Sequence, residues 1–552
     1  MTDEATIRVD SPGSRTPTAH RWFARRTDLA AATVVLLAND PALALEPTRL
    51  LQLASATGPS PAPLEGHRVL DLCSGAGTVG LAAARLGGQV TALDNHPIAV
   101  LVGRCLLQYA PWFGGVHHEH RGIGDGNSWA GLEPELRHWS QVLVDHIQRA
   151  AGEAWLGVTD AVVCRPVTIC QNCGKATDFM GEGAARGTAK CVHCQNDFVR
   201  RDAAVVGFEP VREIRGRSER DLSQEVRSVL AASDHQNPWL EDEPFVSTRQ
   251  GTVPVSRTIT PRQASVLAAS QRALRSTRDD LAERGYEPNH VAALVTTLGL
   301  ALSSSLVEML TTTARWDKRT HRLRALDVHD WRFPWEFAEA GGAELRRRFE
   351  RQIDDTCAAL TSVAGTGVAI SGDMTRIDLP DGSFDVVVWD PPFYDNIDYQ
   401  ALAAPWVRYL RATIGELHPD LDWTASSSPS PIEPFDAVLY EQSLAEASSE
   451  VARVLDTDGS LGVFWIRRRG QEEDDLTGLL HGLESSGLEL IQSVRLDKTI
   501  TTFDSPVEPV FLVFRKTVIV QPSNAGQIVA GLDEHRPMMA AGLADLLERY
   551  LD

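Results

Sequence analysis

The stretch that decides the fold is His67–Gly80, His-Arg-Val-Leu-Asp-Leu-Cys-Ser-Gly-Ala-Gly-Thr-Val-Gly. Residues 67–72 are rich in branched apolar side chains and predict a buried strand. A glycine-rich turn follows, and the apolar run 79–86 predicts a helix that packs back on the strand. Gln89–Asp94 predicts a second strand. The segment is therefore expected to form the strand–helix–strand unit of an α/β domain with a parallel sheet.

The glycines of this turn fit the pattern G-x-G-x-x-G at Gly75, Gly77 and Gly80, which lets the backbone approach a bound nucleotide. Asp94 ends the second strand and is placed to bind ribose hydroxyls. This pattern suits a dinucleotide-binding dehydrogenase equally well. Asp71 favours another cofactor, because a carboxylate there can pair with an amino-acid ammonium. S-adenosylmethionine has such a group, and NAD does not.

A third acidic residue ends another predicted strand. Ala369–Asp373 has the apolar start and polar end of such a strand, and Asp373 could accept a hydrogen bond from the adenine amine of the cofactor. Any one of these acids is more often a loop or helix cap. Three of them at strand ends, together with Ser74 in the glycine turn, predict a nucleotide-type cofactor site.

The second functional motif is Val386–Tyr394, Val-Val-Val-Trp-Asp-Pro-Pro-Phe-Tyr. Its first four residues predict a buried strand that ends at Asp390, because Pro391 and Pro392 cannot donate to a sheet. The same pattern occurs at ordinary strand exits, but it also suits chemistry on the exocyclic amine of a base. Asp390 and the carbonyl of Pro391 would accept the two amine hydrogens, and Phe393 would stack on the ring. Accepting both hydrogens stabilises the positive charge that grows on the nitrogen during attack.

Four of the eight cysteines form two Cys-x-x-Cys pairs, Cys170 with Cys173 and Cys191 with Cys194. The pairs have the spacing of a zinc ribbon, in which two turns close a tetrahedral thiolate site. Four thiolates leave no open position on the metal, so the predicted zinc is structural. The remaining cysteines are scattered and predict small buried apolar side chains: Cys73, Cys105, Cys164 and Cys357.

These motifs together resemble the zinc-ribbon-containing adenine-specific DNA methylases, which are S-adenosylmethionine-dependent amino-methyltransferases with an Asp-Pro-Pro-Tyr/Phe motif. The resemblance covers most of the chain and includes His20–Arg26, Arg315–Asp317, Pro334–Ala340 and Asp390–Asn396. It implies a Rossmann-like class I methyltransferase sheet, interrupted by an inserted zinc ribbon and a mostly helical insertion. Phe393 stands where such enzymes more often have Tyr, which should preserve stacking. The chain is also shorter than expected for the family, which leaves less room for insertions that read DNA sequence.

The resemblance implies methyl transfer to the N6 amine of adenine in DNA, with the base flipped out of the duplex. Other proteins of a restriction-modification or phage-defence system would be its partners. Methylation of cytosine C5 is disfavoured, because it needs a cysteine nucleophile and the chain has no Pro-Cys pair. Two alternatives stay open. One is an RNA amino-methyltransferase acting on guanine N2 or adenine N6, and the other is a catalytically idle zinc-ribbon scaffold of a DNA-defence assembly.

The composition of the chain constrains its substrate and its location in the cell. The chain has 552 residues and a net charge of −21, which opposes nucleic-acid binding because the usual footprint of such proteins is basic. Local basic runs could still contact phosphate, and they lie at 212–220, 315–324, 346–348 and 467–469. No run of 18 apolar residues and no secretory signal is evident. A cytoplasmic protein without a membrane span is expected.

The chain is predicted to divide into six segments. They are a disordered tail (1–18), the first part of the methyltransferase domain (19–160), the zinc ribbon (161–203), a helical and loop insertion for target recognition (204–345), the second part of the methyltransferase domain (346–520) and a C-terminal helix (521–552). Trp22 and Arg25–Arg26 precede a predicted helix at 27–39. They could line the methionine end of the cofactor or only anchor that helix.

Overall fold

The structure is a computed structural model, and it describes most of the chain between residues 5 and 516. The described ranges are 5–8, 18–22, 26–56, 62–114, 117–118, 129–178, 188–191, 193–199, 205–222, 230–231, 244–248, 251–254, 259–307, 314–324, 336–361, 365–392, 399–424, 437–468, 474–497 and 507–516. Phe393, Arg25 and the predicted C-terminal helix lie outside these residues.

The described strands number twenty-two. They are β1 Ala5–Arg8, β2 Arg68–Leu72, β3 Gln89–Asp94, β4 His117–His118, β5 Trp129–Ala130, β6 Ala161–Ile169, β7 Ala176–Asp178, β8 Thr188–Lys190, β9 Asp197–Val199, β10 Val205–Arg215, β11 Ser218–Asp221, β12 Leu230–Ala231, β13 Pro244–Thr248, β14 Gly251–Pro254, β15 Arg315–Asp317, β16 Arg322–Arg324, β17 Phe337–Ala340, β18 Gly367–Ser371, β19 Phe384–Trp389, β20 Leu455–Arg468, β21 Leu488–Asp497 and β22 Val507–Lys516.

Twelve α-helices accompany them in the described part of the chain. They are α1 Asp28–Asn39, α2 Pro47–Ser55, α3 Thr78–Arg85, α4 Pro97–Gly103, α5 Ala110–Phe113, α6 Leu132–Ala151, α7 Pro261–Glu283, α8 Pro288–Leu302, α9 Gly342–Thr361, α10 Tyr399–Ile414, α11 Ala437–Val454 and α12 Asp474–Ser485. Two π-helical turns, Arg104–Tyr109 and Ser303–Val307, continue α4 and α8.

The large sheet has eight strands in the order β1-β21-β22-β20-β19-β2-β3-β18. Neighbouring strands from β18 to β20 are parallel, and β22 is antiparallel to both β20 and β21. If the seven strands other than β1 are numbered in chain order, the order across the sheet, starting from β18, is 3-2-1-4-5-7-6. This is the strand order of the class I methyltransferases, so the predicted fold class is confirmed.

The core of this sheet explains why its strands were predictable. The central strands β2 and β19 are almost entirely buried, as expected of parallel strands that helices cover on both faces. Helix α1 packs against α3 and β20 and is buried from Ala30 to Ala38. Among the described residues, no strand of the large sheet lies between β3 and β18 in the sequence, so the cysteine pairs and α6–α9 are inserted at that point.

A second sheet, which the sequence did not predict, lies within this insertion. Its strands follow the order β11-β10-β6-β17, with β12 beside β10 and β7 beside β6. The sequence after residue 204 looked rich in loops because prolines interrupt it. Pro210 nevertheless lies inside β10, next to a change of register between Pro210 and Arg212. A proline is tolerated at such a bulge because no ladder hydrogen bond is lost there.

Two further differences concern the ends of predicted segments. The tail 1–18 was predicted to be disordered, but Ala5–Arg8 forms β1, which pairs in parallel with β21 at the edge of the large sheet. Within the segment predicted as a helical and loop insertion, residues 261–307 are helical except for a break at Gly285, whose φ of +82° ends α7. Within the described residues, Pro288–Val307 is long and apolar enough to cross a membrane, but it is 94% buried inside the protein.

Candidate active site

The candidate site lies where the strand order of the large sheet reverses, between β2 and β19. Leu72 pairs with Trp389, so the chain leaves both strands at the same edge of the sheet. Ligands of open α/β sheets bind at this switch point. Cys73 begins the turn after β2 with a φ of +62°, a conformation that side chains other than glycine adopt rarely. The N–H of Ser74 donates to the carbonyl of Leu93 (3.1 Å), which ties the turn to β3.

Asp94 holds the glycine turn from the end of β3. Its Oδ2 accepts from the N–H of Gly75 (2.9 Å) and its Oδ1 from the N–H of His96 (2.8 Å). Burial raises the pKa of Asp94 to about 6, although these two N–H groups act in the opposite direction. Each carboxylate oxygen has a second lone pair, so Asp94 can also accept from ribose hydroxyls.

Asp71 lies beneath the same turn and is only 3% exposed. Its Oδ2 accepts from the N–H of Gly80 at 2.8 Å. Burial, together with the negative charges of Asp94 and Asp390, raises the pKa of Asp71 to about 7. A cation bound beside this carboxyl would favour its ionised form.

Asp373 follows β18 at the neighbouring position of the same sheet edge. The N–H of Gly372 donates to the backbone carbonyl of Asp94 (3.0 Å), which brings the two acids together. The Oδ1 of Asp373 accepts from the N–H (2.9 Å) and the hydroxyl (2.8 Å) of Thr375. The three predicted cofactor acids therefore lie on adjacent strands of one site.

An aromatic cluster covers the glycine turn. The indole of Trp22 stacks on Tyr399, with ring centroids 5.5 Å apart and planes 19° apart, and meets His96 edge-on at 5.1 Å. A Cβ on Gly75, whose φ is +49°, would lie 2.7 Å from Nε1 of Trp22. Sequence reasoning considered Trp22 but missed His96 and Tyr399. The only local signal for His96 is its place two residues after Asp94, where it caps α4.

Asp390 is held by an arginine from the far end of the sequence. Nε and Nη2 of Arg26 donate to Oδ2 (3.0 Å) and Oδ1 (2.7 Å) of Asp390, which is a two-point ion pair. The guanidinium also lies 4.4 Å from the ring centroid of Phe464. The side chain of Arg26 is 10% exposed and that of Asp390 is 28% exposed. Arg26 thus orients the predicted acceptor, a role that the sequence did not indicate.

The proline pair is fixed by a second contact. The hydroxyl of the buried Tyr440 donates to the carbonyl of Pro392 at 3.1 Å. This bond orients the chain as it leaves Asp390 through Pro391. Phe393 comes next and lies outside the described residues, so its predicted stacking role stays a prediction.

The candidate metal site lies between β6 and β10. The Sγ atoms of its four cysteines, Cys170, Cys173, Cys191 and Cys194, all lie within 4.8 Å of one another. The Cys170–Cys194 and Cys173–Cys191 sulfur separations are 3.7 Å. Zinc–sulfur bonds of about 2.3 Å in a tetrahedron would place sulfurs about 3.8 Å apart. The four thiols therefore fit a zinc ion.

The two cysteine turns have matching backbone geometry. Gly174 and Gln195 each follow the second cysteine of a pair, with φ values of +68° and +60°. Their N–H groups donate to the carbonyls of Cys170 (2.8 Å) and Cys191 (2.9 Å). The N–H of His193 also points to Sγ of Cys191 at 3.4 Å, as expected in a thiolate turn.

No protein-family model matches this chain, and no curated protein matches it. Among solved structures, the chain is similar to the cyclase SpnF with 15% identity and a TM-score of 0.18, over 31% of this chain and 63% of that one. A SAM-dependent methyltransferase from Methanosarcina mazei has 11% identity and a TM-score of 0.16, over 28% and 69% of the two chains. The Burkholderia thailandensis 1,6-didemethyltoxoflavin-N1-methyltransferase has 11% identity and a TM-score of 0.16, over 27% and 51%. Likenesses this low say nothing about activity, and the fold class rests on the strand order.

Proposed function

We propose that this chain is an S-adenosylmethionine-dependent methyltransferase that acts on the N6 amine of adenine in DNA. The observation that supports this best is the position of Asp390 and its proline pair. They follow β19 directly beside the glycine turn that follows β2. A carboxylate for the amine and a loop for the cofactor therefore meet at one switch point.

The residues around the glycine turn fit S-adenosylmethionine. In this proposal Asp94 binds the ribose hydroxyls, Asp71 faces the ammonium and Asp373 accepts from the adenine amine. Ser74 lies in the same turn, between β2 and α3. Gly75 and Gly77 let the backbone of this turn approach the cofactor. The cofactor supplies a methyl group already activated by its sulfonium, so the protein mainly has to orient the two reactants.

Asp390 performs the chemical role on the substrate side. Its carboxylate and the carbonyl of Pro391 accept the two N6 hydrogens, which frees the nitrogen lone pair for attack and stabilises the developing positive charge. Arg26 occupies both oxygens of Asp390, but each carboxylate oxygen has two lone pairs. Asp390 can therefore bind the amine while Arg26 keeps it in place.

DNA is proposed as the substrate on the basis of the sequence resemblance, and the target base would be flipped into the site. The zinc is proposed to be structural, because four thiolates fill its coordination. We place the protein in the cytoplasm, with proteins of a restriction-modification or phage-defence system as further partners. The alternative functions to be distinguished by experiment are an RNA amino-methyltransferase and a catalytically idle scaffold.

Transfer of labelled methyl groups from S-adenosylmethionine to duplex DNA tests the proposal. Asp390→Ala should lower turnover by about 100-fold or more with cofactor affinity nearly unchanged, because its acceptor acts mainly in the transition state. Phe393→Ala should weaken substrate binding by about 1–3 kcal/mol, and Phe393→Tyr, its matched control, should be close to neutral. Labelled RNA without labelled DNA would favour the RNA enzyme. Failure to bind the cofactor would favour the scaffold.

A further inference from the structure

A short basic hairpin lies beside β17 of the second sheet. Strands β15 and β16 pair in antiparallel fashion, with Trp316 opposite Leu323, and residues 318–321 form the turn. Residues 315–324 contain five Arg and Lys against one Asp, a charge of +4 with His321 neutral, in a chain whose net charge is −21. The four cations Arg315, Lys318, Arg319 and Arg322 are all exposed.

These four cations have no ion-pair partner among the residues that the structure describes. Only Arg324 of the hairpin has one, Asp317 at 2.9 Å. In the other basic runs most of the described arginines are paired. Arg346, Arg347 and Arg348 are all neutralised, by Asp145, Asp160 and Glu344. In the run 212–220, Arg212 pairs with Glu219 and Glu336, and Arg215 and Arg220 both pair with Glu213.

The hairpin keeps its shape without the side chains of its exposed cations. Oδ1 of Asp317 accepts from the N–H groups of Arg319 (2.8 Å) and Thr320 (3.2 Å), which closes the turn. Leu323 is 2% exposed and anchors β16 in the core. Lys318, Arg319 and Arg322 can therefore be truncated with little effect on the fold.

Helix α9 connects the hairpin to the candidate active site. Nη2 of Arg348 donates to the carbonyl of Leu323 at 2.6 Å. One helical turn later, Nε2 of Gln352 donates to the carbonyl of Thr18 at 3.0 Å, and the chain then runs to Trp22 over the glycine turn. One helical turn of about 5.4 Å, the side chains of Arg348 and Gln352, and four chain residues of at most about 3.6 Å each therefore link the hairpin to that turn.

We propose that the hairpin Arg315–Arg324 binds the phosphate backbone of the duplex that flanks the target base. This inference rests on the proposed function for the identity of the substrate. Phosphates of one strand lie about 3.4 Å apart along the axis, so 15 base pairs on one side of the target base span roughly 50 Å. A duplex with one base in the active site is therefore long enough to reach the hairpin. Its exposed cations locally offset the repulsion that the acidic chain exerts on DNA.

The salt dependence of duplex binding tests this inference. The variant Lys318→Ala/Arg319→Ala/Arg322→Ala is compared with Arg49→Ala/Arg272→Ala/Arg275→Ala, which removes the same charge from exposed positions elsewhere. Affinity for a labelled 30-base-pair duplex is measured by anisotropy between 50 and 200 mM salt. Each lost phosphate contact lowers the slope of log K against log salt by about 0.9, so the hairpin variant should lose about 3 from the slope. Over that range the wild type should lose roughly 40-fold more affinity than the hairpin variant. The control should keep the wild-type slope.

Equal slopes for the two variants would overturn the inference, as would a wild type that binds RNA but not duplex DNA. S-adenosylmethionine affinity, measured in the same preparations, should be unchanged in both variants. The proposed function can fail separately. A hairpin variant with the reduced slope, combined with a wild type that leaves no methylated adenine, would refute the reaction and support the hairpin.

Discussion

Substituting Gly75 by alanine should disturb the site more than the same change at Gly77. Both glycines have positive φ values, +49° and +72°, so each substitution incurs the left-handed backbone cost of about 1–2 kcal/mol. Their surroundings differ. A Cβ at Gly75 would lie 2.7 Å from Nε1 of Trp22, whereas the nearest atom to one at Gly77 is a methyl of Leu106 at 3.7 Å.

The difference between the two variants isolates the contact with Trp22. Displacing a packed ring costs about 1–3 kcal/mol, so Gly75→Ala should lower the free energy of unfolding by that amount more than Gly77→Ala. Gly66→Ala, at a φ of +83° with nothing within 4 Å, gives the backbone cost alone. Denaturant unfolding measures all three variants, and calorimetry measures their affinity for S-adenosylmethionine.

A double-mutant cycle completes the test. In a Trp22→Ala background the excess cost of Gly75→Ala should vanish, because the indole that the new Cβ would strike is absent. The reasoning is refuted if Gly75→Ala and Gly77→Ala destabilise equally in the presence of Trp22, since Trp22 would then not cover the glycine turn in solution.

Three further predictions concern the metal, the cofactor and pH. One zinc per chain should be found by elemental analysis, and Cys170→Ser should lower the melting temperature, because metal binding is coupled to folding; metal-free protein with unchanged melting would count against the zinc site. Asp94→Ala should weaken S-adenosylmethionine binding by about 1–3 kcal/mol in calorimetry, and tight binding of NAD would contradict the cofactor assignment. Because the pKa of Asp71 is raised to about 7, the free protein holds a proton there in acid, and a cationic ligand must expel it. Cofactor affinity should therefore rise with pH by up to about tenfold per unit and level off above pH 7, and an unchanged rise in Asp71→Asn would show that another group is responsible.

The same pKa shifts affect stability in the opposite sense. A carboxyl whose pKa is raised by folding binds its proton more tightly in the folded state than in the unfolded chain. Asp71 and Asp94 thus contribute stability at low pH, and that contribution is lost as the pH rises toward their folded pKa values of about 7 and 6. Cofactor binding near neutral pH would offset this loss.

The parts of the fold that the sequence predicted are those with local signals. Strands β2, β3 and β19 are largely buried apolar runs, and the structure places them within two residues of the prediction. The metal site was predictable for the same reason, because two short Cys-x-x-Cys motifs identify all four of its ligands. The second sheet was missed because Pro210 interrupts the pattern of β10, and β1 was missed because four residues give too little periodicity.

The missed parts of the site are contacts between distant residues. Arg26 and Asp390 are 364 positions apart, and nothing near either residue indicates that they meet. The stacking of Trp22 on Tyr399 likewise depends on how α10 packs against α7 and α8. Sequence patterns identify which residues can do chemistry, whereas their partners are set by tertiary packing.

Asp390 is proposed to serve methyl transfer to adenine N6 in DNA. The decisive experiment is mass spectrometry of nucleosides from DNA of cells that express the wild-type chain or Asp390→Ala. We expect N6-methyladenine with the wild type and none above background with the variant, while both purified proteins bind S-adenosylmethionine. Methylated guanine or cytosine, or N6-methyladenine at equal levels with Asp390→Ala, would contradict it.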